Sequence, residues 1–241
     1  MESPGPSEPV TAAPVEALST QAKVGREVFR KYGPRLVAMF ALVALPLWGF
    51  GEIAEDVAEG HPFFFDVPVL EWLHSISSPT LNALFLALSA IGYSGGVVPM
   101  DIALVVGLML RRHPRSATFA AIAVVGSALA NAAAKHLFAR ARPALWLSLA
   151  PETTYSFPSG HAMGSATLAC VLACLAWDTR WRWPVIAVGA LFTLGVGLSR
   201  AYLGVHYPSD VLAGWSAAIA WTLGVRLIAF HRGLLTGSTR V

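Results

Sequence analysis

Charge is scarce in this sequence. Only 13% of its 241 residues are charged, against about 25% in soluble globular domains, so most of the chain is not built for water. Neither sign dominates: 17 Lys and Arg face 14 Asp and Glu, a formal +3 at pH 7. That excess is too small and too scattered to argue for a nucleic-acid partner. Cysteine is nearly absent. Cys170 and Cys174 are the only two, one helical turn apart in an apolar run, where they read as small buried side chains. They imply neither a disulfide framework nor a zinc site. The first 22 or so residues have no sustained apolar run and lack the basic start of a cleavable signal peptide. Rich in Pro, Ser, Glu and Ala, residues 1–22 are expected to be a disordered tail.

What the chain has instead is 55% hydrophobic residues and a mean hydropathy of +0.59, laid out in runs. A helix needs about 20 residues to span the hydrocarbon. Candidates are Leu36–Ile53, with Pro46 expected to kink it, then Gly96–Leu110, Ser116–Leu137, His161–Trp177, Pro184–Leu198 and Pro208–Phe230. Pro79–Ile91 is apolar, but its 13 residues reach only about 20 Å. With six spans, four basic segments share one side: Lys23–Arg35, Arg111–Arg115, Arg180 with Arg182, and Arg226–Arg232. The positive-inside rule puts that side in the cytoplasm. A seventh span would set the N-terminal patch against the other three. The expected fold is therefore all-α: a polytopic membrane helix bundle of six transmembrane helices and a short interfacial or re-entrant helix over Pro79–Ile91. Residues 54–95 form an outer segment, in which Asp66 is expected to cap a helix over Val67–Ser75. Residues 23–232 form one membrane domain, followed by a short C-terminal tail, 233–241.

On the outer side, against the topological trend, polar residues gather at the ends of consecutive spans. The patterns are Lys135-x6-Arg142-Pro143, Pro158-Ser159-Gly160-His161 and Ser199-Arg200-x5-His206-x3-Asp210. Cations there run against insertion preferences and imply a use. Phosphoryl transfer needs charge neutralised on non-bridging oxygens, an in-line nucleophile and a proton for the leaving oxygen. Lys135, Arg142 and Arg200 can supply the first, arginine binding two oxygens with its planar fork. Gly160 allows a close backbone approach, and a helix start near Pro158 favours phosphate. One histidine can attack phosphorus while the other protonates the leaving group. Asp210, four residues after His206, can fix the imidazole tautomer.

These three motifs resemble those of the type 2 phosphatidic acid phosphatase superfamily, which also includes glucose-6-phosphatase and the vanadium haloperoxidases. The resemblance covers Lys135 to Asp210 in motifs and about residues 36–230 in span layout, with no departure at a catalytic position. It implies that His206 forms a phosphohistidine, that Asp210 orients it, and that His161 is first acid and then base. It implies that Lys135, Arg142, Ser159, Gly160 and Arg200 bind phosphate. It further implies chemistry without a metal or cofactor, in keeping with a single carboxylate, Asp210, in the outer motifs. The expected substrate is a lipid phosphate or pyrophosphate held in the bilayer, such as undecaprenyl pyrophosphate, phosphatidylglycerol phosphate or phosphatidic acid. The expected setting is a bacterial cytoplasmic membrane, with both termini inside and the site outside.

Other readings of the same residues remain open from sequence. Taken singly, Lys135, Arg140 and Arg142 read as cations snorkelling at a helix end, and Arg140 stays undecided at the motif's edge. Ser159 reads equally as an ordinary helix N-cap. His136, His61, His74 and His113 read as interface residues. Asp101, inside the second span, is either solvated near the outer surface or paired with a cation of the phosphate site. A phosphotransferase using the same histidine would pass phosphate to an acceptor other than water. An anion transporter would need polar residues along the spans, and they cluster at one face instead.

Overall fold

The computed structural model describes residues 13–236. Eight helices and no strand occur among them: α1 Ala13–Glu59, α2 Asp66–Ser75, α3 Pro79–Ile91, α4 Val97–Leu110, α5 Pro114–Phe138, α6 Gly160–Ala176, α7 Arg182–Tyr202 and α8 Pro208–Thr236. The chain divides into two units, Met1–Ala41 and Leu42–Val241. Within the first, the described residues are the opening stretch of α1; the second carries everything discussed below. Of the expected tail over residues 1–22, positions 1–12 lie outside the described residues and α1 opens at Ala13. The C-terminal segment from 237 onward also lies outside them. Helix α1 runs unbroken through Pro46.

Local signals place most helix ends. Pro114 opens α5, and Ala139 ends it in the left-handed region at φ 46°. Ser78 caps α3, its hydroxyl accepting from Leu81 N–H, with Pro79 next. Among the described residues, three helices are long and apolar enough to cross a membrane: Pro114–Phe138, Arg182–Tyr202 and Pro208–Ile228. Pro79–Ile91, Val97–Leu110 and Gly160–Ala176 are apolar but shorter.

Helix α6 packs against α5, α7 and α8 and also meets α4. Its face from Ala162 to Val171 is buried, including the polar Ser165 and Thr167. Thr167 satisfies its hydroxyl on Met163 C=O and shares a 2.8 Å bond with Ser127 of α5. The small residues of α5 admit close neighbours, as their composition suggests. A Cβ at Gly126 would strike the Trp221 ring, whose Nε1 donates to Ala123 C=O at 3.0 Å. Helices α2 and α3 pack on the end of α7, where Leu70, Leu73, Phe85, Tyr202 and Leu203 form a core cluster. Tyr202 OH donates to Asn82 at 2.7 Å and accepts from Ser78 N–H. The segment between α1 and α4 is thus clamped onto the end of α7 that carries Arg200.

Asp66 corrects the sequence expectation. It is the first residue of α2, and its side chain caps nothing; Phe65 occupies the cap position without a side-chain bond. Asp66 is instead buried and reaches α8, accepting from Ser209 N–H at 2.9 Å and from the Ser209 hydroxyl at 2.6 Å. Asp101 is also corrected. It is buried, its Oδ1 has no hydrogen-bond partner, and none of the cations of the phosphate motifs reaches it.

Candidate active site

Four helix ends converge. Lys135 lies in the last turn of α5, Gly160 and His161 open α6, Arg200 lies in the last turn of α7, and Pro208 starts α8 two residues after His206. The basic segments around Arg111–Arg115 and Arg180–Arg182 lie at the other ends of these helices. Gly204, at φ +68°, makes the turn between Arg200 and His206. A side chain there would be strained and would also meet the Trp146 ring. The turn delivers His206 N–H to Arg200 C=O at 3.3 Å.

His206 is wholly buried. Its Nδ1 lies 3.4 Å from Asp210 Oδ2, one helical turn further along the chain. On the opposite edge, Arg142 Nη1 is 3.0 Å from Nε2. A guanidinium can only donate, so Nε2 accepts and the ring proton belongs on Nδ1, facing the carboxylate. Asp210 is in turn held by Tyr207 N–H at 2.9 Å, by the Ser156 hydroxyl, and by Arg140 Nη1 at 2.6 Å. Burial lowers the pKa of His206 to about 4, against the opposing pull of Asp210. The ring is therefore neutral at pH 7, with a lone pair on Nε2.

Arg140, undecided from sequence, is a central tie. One guanidinium bonds Asp210 at 2.6 Å, Asp66 at 2.9 Å and the Ser209 hydroxyl at 2.8 Å, and it lies over the Tyr207 ring. It links the outer helix α2 to the carboxylate behind His206.

The cations face a partner that sequence reasoning missed. Glu152, in the loop between α5 and α6, accepts from Arg142 Nη2 at 2.6 Å through Oε2 and from Arg200 Nη2 through Oε1. Its Oε1 is 3.8 Å from His161 Nδ1, and its Oε2 is 3.9 Å from His206 Nε2. Arg142 also donates to Thr154 C=O at 2.7 Å and Val205 C=O at 2.6 Å. Lys135 donates to the Thr154 hydroxyl at 3.2 Å and to Tyr155 C=O. Arg200, 1% exposed, also donates to the Ser89 hydroxyl of α3. Burial alone would lift the Glu152 pKa, but the surrounding charges, Arg200 foremost, hold it below the usual carboxylate value. Burial likewise draws the Arg142 pKa down, opposed by Glu152 and Asp210.

Lys135, Arg142, Arg200, His161, His206 and Asp210 therefore come together. Ser159 and Gly160 serve the frame around them. The Ser159 hydroxyl caps α6, accepting from Ala162 N–H at 3.5 Å, and its N–H donates to Asp210 C=O at 3.0 Å. Gly160 lets α6 start against Asn131 of α5; a Cβ there would lie 3.1 Å from its Oδ1. Asp210 is the one carboxylate within the three motifs, and the fold adds two from outside them, Asp66 and Glu152, each engaged by an arginine. One sequence signal pointed to Glu152: it is the sole acidic residue between Ala139 and Ser159. Ser156 and Asp66 carried no comparable signal.

Comparison with known proteins adds an independent line. The family model "PAP2 superfamily" matches residues 116–233, which include all three motifs. An undecaprenyl-diphosphatase from Sulfolobus acidocaldarius is 31% identical over 156 residues, 63% of this chain and 72% of the relative. A phosphatidylglycerophosphatase B from Bacillus subtilis is 29% identical over 149 residues, 60% of this chain and 73% of the relative. The fold matches the crystal structure of a transmembrane PAP2-type phosphatidylglycerolphosphate phosphatase from Bacillus subtilis, with a TM-score of 0.69 at 24% identity. That match covers 83% of this chain and 98% of the other. Sequence, relatives and fold thus agree that this all-helical membrane protein is a phosphoric ester hydrolase belonging to the PAP2 superfamily.

Proposed function

We propose that the chain removes phosphate from a membrane lipid phosphate or pyrophosphate through a phosphohistidine on His206. One observation carries the proposal: His206 Nε2 and His161 Nδ1 face the same anion from two sides, at 3.9 and 3.8 Å, between Arg142 and Arg200. A phosphoryl group in that place meets a nucleophile on one side and a proton donor on the other, its non-bridging oxygens held by the arginines and Lys135. Nε2 attacks phosphorus, the P–O bond to the lipid breaks, and His161 gives its proton to the departing oxygen. Asp210 holds the Nδ1–H and stabilises the ring as it becomes cationic. His161 then takes a proton from water as the water oxygen attacks phosphorus and the N–P bond breaks, releasing inorganic phosphate. The first turn of α6, opened by Ser159 and Gly160, adds N–H groups and a favourable dipole for the anion. These residues supply the charge neutralisation by themselves, so the reaction proceeds without a metal.

The substrate class follows from placement. Polar groups at the ends of apolar helices suit a substrate whose tails remain in the bilayer. The names of the relatives point to phosphatidylglycerol phosphate and undecaprenyl pyrophosphate as first candidates. The basic segments at the opposite helix ends support a reading in which the site is on the outer side of a cytoplasmic membrane, with both termini inside.

The test is phosphate release by purified wild-type and His206→Ala protein in detergent, across a panel of lipid phosphates and pyrophosphates with excess chelator. Release by the wild type alone is expected. Equal release by both proteins, or loss of activity with chelator, would overturn the mechanism.

A further inference from the structure

Glu152 is more exposed than the arginines and histidines it touches. Its side chain is 25% accessible, against 12% for Arg142, 16% for His161 and 1% for Arg200 and for His206. The cations sit at helix ends or are pinned to backbone carbonyls, whereas Glu152 rides on the loop between α5 and α6, which has no regular structure. Every polar contact of its carboxylate is with Arg142, Arg200, His161 or His206. No other residue holds it in place. The neighbouring Thr154 and Tyr155 also accept from Lys135 and Arg142. The two carboxylate oxygens divide between two arginine forks as two non-bridging phosphate oxygens would. Each carboxylate oxygen also lies near one imidazole nitrogen, Oε1 at 3.8 Å from His161 Nδ1 and Oε2 at 3.9 Å from His206 Nε2.

We propose that Glu152 is a resident surrogate for the phosphoryl group: its carboxylate fills the phosphate subsite between turnovers and rotates out on its own side chain when a phosphate enters, while Thr154 and Tyr155 stay bonded to Lys135 and Arg142. The inference rests on the lipid-phosphatase reading for its substrate, but the competition it describes is between two anions and can be read without turnover. A surrogate has two consequences. It keeps Lys135, Arg142 and Arg200 from facing one another across an empty site. It also weakens substrate and inorganic phosphate alike, because a ligand's apparent affinity is reduced by the fraction of molecules whose site is open. Product release is thereby favoured over retention of phosphate by three cations.

The test uses the full chain in detergent, comparing wild type with Glu152→Gln and Glu152→Ala. Orthophosphate binding is measured by calorimetry, orthovanadate inhibition and lipid-phosphate turnover by phosphate release. Removing the competing carboxylate is expected to tighten orthophosphate and orthovanadate by about tenfold or more, the scale of one or two charge-assisted hydrogen bonds. KM should fall in the same sense. Unchanged or weaker orthophosphate binding in a variant of an active enzyme would overturn the inference and leave the phosphatase reading intact. Tighter orthophosphate binding, with no lipid phosphate turned over by wild type, would sink that reading and support the surrogate. Should both variants fail to fold, Glu152→Asp carries the test, since its shorter side chain cannot span both arginines. A smaller gain in phosphate affinity is then expected, and no gain would refute the proposal.

Discussion

Consider Arg140→Ala. The substitution removes the guanidinium that bonds Asp210 at 2.6 Å, Asp66 at 2.9 Å and the Ser209 hydroxyl at 2.8 Å. Asp66 and Asp210 are 3% and 0% exposed in their side chains, so both carboxylates stay buried with their countercharge gone. Asp66 keeps two bonds from Ser209, and Asp210 keeps Ser156 and Tyr207 N–H. Breaking a buried ion pair by removing one partner costs about 3–5 kcal/mol. The remaining bonds place this case toward the lower end, about 3 kcal/mol of stability. Arg140→Lys keeps the charge, but a single ammonium cannot match the fork that joins two carboxylates. About 1.5–3 kcal/mol is then lost, the worth of one charge-assisted bond. As a positioning residue, Arg140 acts through Asp210 on the tautomer of His206, so kcat should fall with KM little changed. The assay is a double-mutant cycle of Arg140→Lys and Asp66→Asn, read both by thermal unfolding and by turnover. Strong non-additivity is expected, because each substitution breaks the same tie. Additive losses, or full turnover in Arg140→Ala, would refute the reasoning.

Three further outcomes follow from the geometry. His161→Ala should slow turnover about 10²–10⁴-fold, the usual loss for a general acid; full activity would remove it from the mechanism. The His206 ring should take up its proton near pH 4, well below the ordinary value of about 6.5, as read from ¹⁵N imidazole shifts in labelled protein. Between those two values the unfolded chain binds a proton that the folded chain refuses, so stability should decline as pH falls through that window. A midpoint at or above the ordinary histidine value would contradict the buried, neutral nucleophile. Gly126→Val should lower stability by about 1–3 kcal/mol by overpacking, since its side chain meets the Trp221 ring; an unchanged melting temperature would mean that α5 and α8 can part without cost.

Much of this protein was legible from its residues alone. Apolar runs set the helices, because a bilayer leaves the backbone no other partner for its hydrogen bonds. Prolines at 79 and 208 marked two helix starts. The three motifs picked out both histidines, Asp210 and three cations that the fold brings to one place, because residues tied to helix ends travel together in spacing and chemistry. Apolar runs and helix length proposed the spans and charge decided six against seven; among the described residues, three helices are long and apolar enough to cross a membrane.

What the tertiary structure decided were pairings between distant segments. Asp66 looked like a cap because a local bond to its own helix is the only partner a sequence window offers. The fold instead set Ser209, 143 residues away, against it. Arg140 was ambiguous because snorkelling and bridging use the same side chain; burial beside two carboxylates selects bridging. Glu152 stood out in sequence only as the lone acidic residue of its loop, and its partners could not be read because Arg142, Arg200 and the two histidines belong to three different motifs. Spacing along the chain reports which residues share a helix face. Where an irregular loop sets its carboxylate depends on packing among the helix ends, which no local pattern encodes.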